Sequence, residues 1–124
     1  MTRVGVFVFT LHTLLELFLG AIKVIKGGYK GFEMPPGGEK FAMHHGVSLM
    51  SLALLGGLVL HRRSWSMEEG FMVSLVLCCF HAGCVAIRPD AAVLLLHGLL
   101  AIGFAYHCLV TEQQQKGTQR QKKL

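Results

Sequence analysis

A chain of 124 residues that is 52% hydrophobic and only 15% charged has too little polar surface for a soluble domain of its size. Its formal net charge of +5 needs no nucleic acid, because Lys and Arg beside anionic headgroups are ordinary at membrane edges. No phosphate-binding glycine motif accompanies that charge, and the apolar residues come in blocks, which points to a membrane.

Crossing a hydrocarbon core of about 30 Å takes roughly 20 helical residues at about 1.5 Å each. Four segments qualify, so the sequence predicts an all-α fold. It is an integral membrane bundle of four transmembrane helices within residues 1–110, with a polar basic tail over 111–124. The first span covers 4–22 and holds two ionisable residues, His12 and Glu16, among apolar neighbours. Its flank carries only Arg3, and Ile22-Lys23-Val24-Ile25 lacks a small-x-small cleavage site. It therefore reads as a retained helix rather than a cleaved signal.

The stretch 23–40 contains Gly27-Gly28, Pro35-Pro36 and Gly37-Gly38, a density that precludes a continuous helix. The second span covers 41–60. The third, 67–87, opens on Ser66-Met67-Glu68-Glu69, which fits a capping box with Ser66 as cap and Glu69 reaching back. Arg88-Pro89-Asp90 then makes a connection so short that the third and fourth spans form an antiparallel hairpin. The fourth span covers 91–110. Beyond it, three consecutive glutamines and four basic residues predict a disordered or extended tail.

Four spans place both termini on one side, with seven basic residues there (Arg3, Arg62, Arg63, Lys116, Arg120, Lys122, Lys123) against five on the other. An excess of Lys and Arg marks the cytoplasmic, matrix or stromal side. Cys78, Cys79, Cys84 and Cys108 lie inside spans without zinc spacing and read as small buried hydrophobes. Small residues four apart, Ala42/Gly46, Ala53/Gly57, Ala82/Ala86 and Ala101/Ala105, suit close helix packing in lipid.

The most informative feature is a set of intramembrane histidines with one acid, because such groups usually face protein, a cavity or a cofactor. His12 and Glu16 share a helix face. His81 and His97 each lie seven residues from the Arg88–Asp90 turn, about 10 Å below that interface. His44 and His45 begin the second span at the same end. His12, Glu16, His81 and His97, with His44 or His45 above them, are expected to converge, whereas His61 and His107 read as boundary residues.

Such a set is compatible with packing hydrogen bonds between helices. It is also compatible with axial ligation of haem b or of a chlorophyll, or with acid–base work on a lipid-soluble substrate. One His-His doublet falls short of the several histidine boxes of a di-iron membrane oxygenase, and no nucleophilic triad is supported. No residue is assigned as catalytic or as a metal ligand.

Leu17-Phe18-Leu19-Gly20-Ala21-Ile22-Lys23 resembles the first-helix Gly-x-x-Lys pattern of DoxX-like four-helix membrane proteins. The glycine-rich Leu54-Leu55-Gly56-Gly57-Leu58 and the chain length are similar too. The resemblance covers about a quarter of the chain. It implies the four-helix topology and transfers no active site.

With nearly every residue in lipid, little is left for a soluble active site. The expected role is a non-catalytic subunit within a larger membrane complex, respiratory or photosynthetic, with membrane lipids and other subunits as partners. The alternatives are a haem- or pigment-binding membrane protein, and a small enzyme acting on a lipid, sterol or quinone through the His/Glu set.

Overall fold

The computed structural model describes residues 1–27, 36–61, 67–87 and 91–121. The chain is all-α: α1 (Arg3–Lys26), α2 (Gly38–His61), α3 (Met67–Ile87), then α4 (Ala91–Val93), a π-helical turn (Leu94–Gly98) and α5 (Leu99–Gln121) in one run. Among the described residues, four helices are long and apolar enough to cross a membrane: Arg3–Lys26, Gly38–His61, Glu68–Ile87 and Ala91–Gln121. The Ser66 cap and the Arg88–Asp90 turn lie outside the described residues, as does most of the Gly/Pro-rich stretch.

Local chemistry sets the ends that are described. The Thr2 hydroxyl accepts the Gly5 N–H at 3.0 Å, the N-cap bond to the third helical residue. At the other end of α1, Gly27 has φ +65° and its N–H bonds the Lys23 carbonyl at 3.0 Å. That is the left-handed glycine stop, which a residue with a Cβ rarely adopts. Lys23 and Lys26 occupy the last turn, where their charge suits the negative helix end.

Two compact units divide the chain: Met1–Val8 with Arg62–Leu124, and Phe9–His61. In the second unit α1 and α2 run antiparallel, and α2 buries Ala42, Gly46, Leu49, Ala53, Gly56 and Val59, spaced by threes and fours as one helix face requires. In the first unit α3 and α5 run antiparallel. Ser74, Leu77 and His81 on α3 and Leu100, Phe104, His107, Cys108 and Thr111 on α5 are buried. The start of α1 joins that unit, with Val8 packed on Gly103 and Gly5 on the His107 ring.

Large apolar side chains are exposed along the spans. Phe7, Phe18, Leu54, Leu95 and Ile102 are each more than 60% exposed, an arrangement that water penalises and hydrocarbon accepts. Helices satisfy their own backbone groups, and for that reason they can stand in lipid.

Three sequence expectations change. The tail is helical through Gln121: its Glu, Gln and Lys residues are good helix formers. Glu112 and Lys116 pair at 2.6 Å, and the Thr118 hydroxyl bonds the Gln114 carbonyl at 3.0 Å. Of the cysteines only Cys108 is buried; Cys79 is exposed and Cys78 and Cys84 are half-buried. Ala82 and Ala86 are exposed, so that pair lines no helix contact, whereas Ala42, Gly46 and Ala53 do.

Candidate functional site

In the second unit α1 carries His12, Glu16, Gly20 and Lys23 along one face, because steps of three and four bring residues back to the same side. His12 and Glu16 are fully buried. His12 Nε2–H donates to the Leu52 carbonyl of α2 at 3.1 Å, which sets the proton on that nitrogen. Its ring lies against Gly56, where a Cβ would stand 2.9 Å from the imidazole and 2.8 Å from the Thr13 hydroxyl. At the Gly27 end, Lys23 Nζ donates to His45 Nδ1 at 2.8 Å. His44 is exposed. The Ser48 hydroxyl bonds its backbone carbonyl at 3.1 Å, so the imidazole of the doublet that engages α1 is that of His45.

The same unit carries an apolar groove of about 190 Å³ lined by Thr13, Leu17, Leu54, Gly57 and Leu58, with His61 at one end. Neither His12 nor Glu16 is among its walls.

In the first unit His81 and His97 meet across the α3 hairpin partner, Nδ1 to Nδ1 at 2.8 Å. One ring must donate an Nδ1–H while the other offers its lone pair, so the two imidazoles carry complementary tautomers. His81 is fully buried and stacks on Phe104 with centroids 5.9 Å apart and planes 5° from parallel. Phe80 meets both imidazoles edge-on, at 5.1 Å and 6.3 Å. His97 sits in the π-helical turn. A π turn takes one more residue per hydrogen bond than α-helix, so it re-aims the side chains after it, and such turns often mark functional positions. The depth count from the hairpin turn places His81 and His97 at one level, and in the structure they touch.

His107, read from the sequence as lying toward the far interface, is 3% exposed and hydrogen-bonded to Ser74 at 2.9 Å. The Ser74 hydroxyl donates to the Gly70 carbonyl at 2.8 Å, so its single proton is committed and His107 Nδ1–H is the donor to Ser74. Ser74 and His107 lie 14 and 17 residues from the Arg88–Asp90 turn, about 4.5 Å apart in depth, so the count that pairs His81 with His97 does not by itself pair them.

Each predicted position thus has a place. His12 and Glu16 are interior to α1 of the second unit. His45 pairs with Lys23, and His44 faces outward. His81 and His97 form a direct pair in the first unit. The chain matches no known protein family, no curated protein and no solved structure.

Proposed function

We propose that the chain is a small, non-catalytic, multi-pass subunit that packs within a larger membrane protein complex. The observation that carries this reading is the engagement of the intramembrane polar groups in pairs between helices. His12 bonds Leu52, Lys23 bonds His45, Ser74 bonds His107 and His81 bonds His97, while many large apolar side chains are exposed on the outer faces. Interhelical bonds of this kind specify which helix faces meet, each contributing about 0.6 kcal/mol in measured membrane proteins. The apolar exterior suits lipid and neighbouring spans alike. Both termini lie on the cytoplasmic, matrix or stromal side in this reading, following the excess of basic residues near them. An energy-transducing membrane is the proposed setting, because ionisable groups inside spans recur along proton and ion pathways.

The rival reading as a haem carrier is less well supported. A haem ligated from both sides by His81 and His97 would require the macrocycle to enter between rings now 2.8 Å apart. Phe104 and Phe80 occupy the flanks it would need. Affinity purification of the tagged chain from gently solubilised native membranes, with mass spectrometry and an absorption spectrum of the same fraction, tests the proposal. Stoichiometric membrane partners and a featureless visible spectrum support it. A coloured chain that purifies alone contradicts it.

A further inference from the structure

We infer that His81 and His97 form an intramembrane binding site for a single monovalent copper ion, a function independent of the subunit reading above. Two imidazole nitrogens from two helices already converge at 2.8 Å. Replacing the shared proton by a metal held at about 2.0 Å from each nitrogen, the usual imidazole–metal distance, requires the rings to part by roughly 1 Å. Side-chain rotation can supply that, whereas a macrocycle would have to displace two phenylalanines. The exchange balances without a co-reactant: the ring that donated Nδ1–H moves that proton to its Nε2, both Nδ1 lone pairs turn to the ion, and no net proton leaves.

The donor set selects the ion. Imidazole suits copper and zinc among others, and thiols favour Cu(I). Zinc seeks four ligands in a tetrahedron, while Cu(I) is content with two. A monovalent ion also costs less to bring into a low-dielectric interior than a divalent one, since the Born penalty rises with the square of the charge. On α3, Cys78 and Cys84 stand one turn either side of His81, about 4.5 Å along the axis in each direction. Cys78 Sγ looks across the same interface to the Ala101 carbonyl at 3.5 Å. Soft donors therefore bracket the pair along the helix and offer a route for a soft ion to reach it. The π turn that presents His97 and the parallel Phe104 ring that holds His81 fix both ligands in the built manner of a site.

The test is competition for Cu(I) between the full-length detergent-purified chain and bicinchoninate under anaerobic reducing conditions, with X-ray absorption on the loaded protein. The expected result is one Cu(I) per chain with two-coordinate nitrogen ligation. Affinity should fall by roughly a hundredfold in His81→Asn and His97→Gln, at least the loss that disturbed metal sites show, and stay unchanged in His44→Ala. Circular dichroism confirms that the variants remain helical, and the spectrum of the unaltered chain needs no variant. Failure of the unaltered chain to compete with the chelator overturns the proposal. Sulfur scattering that vanishes in Cys78→Ser or Cys84→Ser overturns it equally, and so does retention of copper by the double histidine variant.

Discussion

Gly20 of α1 and Gly46 of α2 face each other so closely that a Cβ on either would stand 2.8 Å from the other's carbonyl oxygen. A hydrogen occupies each of those places, and it points at a carbonyl in the manner of the Cα–H···O contacts found where helices touch. The level lies between Glu16 and the Lys23–His45 bond, so the backbone contact separates two polar positions on the same face. Without a hydrophobic driving force between helices in lipid, such close approach is what holds a pair together.

Gly46→Ala should therefore destabilise the protein by about 1–3 kcal/mol, the usual cost of overpacking, since the nearest obstacle, the Gly20 carbonyl oxygen, is backbone and cannot swing aside. Gly117→Ala, where a Cβ meets nothing within 4 Å, should be neutral or stabilise by up to about 1 kcal/mol through helix propensity. Thermal unfolding in detergent, followed by circular dichroism, separates the two. Equal melting shifts would count against the glycine contact.

Ser74 and His107 offer a measurable pair energy. Ser74→Ala leaves His107 Nδ1–H without its acceptor, and His107→Phe leaves Ser74 its bond to Gly70. A double-mutant cycle should give a coupling of about 0.6 kcal/mol and no more than about 1.7. A coupling of zero would mean that the two residues do not meet in the membrane.

Much of the fold was legible in the sequence because hydropathy reports directly on the solvent. The third span was placed at the residues that form α3, and the others within a turn of their true starts. The His81–His97 contact followed from counting residues on either side of a short turn, which works because helices have a fixed rise. The rest was hidden for identifiable reasons. Tail residues 111–121 are polar yet helical, since propensity and i,i+4 pairs act without hydrophobic periodicity. The π turn has no composition of its own, so nothing in Leu94–Gly98 announces it. Gly20 and Gly46 lie on different helices, and small residues reveal a contact only when the facing register is known.

The helical tail gives a third prediction. Truncation after Thr111 should lower the helical circular dichroism signal per chain without lowering the melting temperature of the spans, because the pair Glu112–Lys116 is exposed and such pairs contribute only about 0.3–0.5 kcal/mol. A falling melting temperature would show that the tail supports the spans.

The His12 tautomer gives a fourth. Nitrogen-15 spectra of the chain should show a protonated Nε2 at His12, held by the Leu52 carbonyl, and His12→Phe should lose that signal with a stability cost of about 1 kcal/mol. A protonated Nδ1 with a bare Nε2 at this position would contradict the α1–α2 packing described.

The most direct test of the subunit reading is the migration of the chain on a native gel after mild solubilisation of the membranes that contain it. A 13.6 kDa chain that belongs to a larger assembly should run with that assembly, and move to low mass only when a harsher detergent takes the complex apart. Migration as a single chain in its micelle under the mildest conditions, with no larger band, would contradict the proposed role.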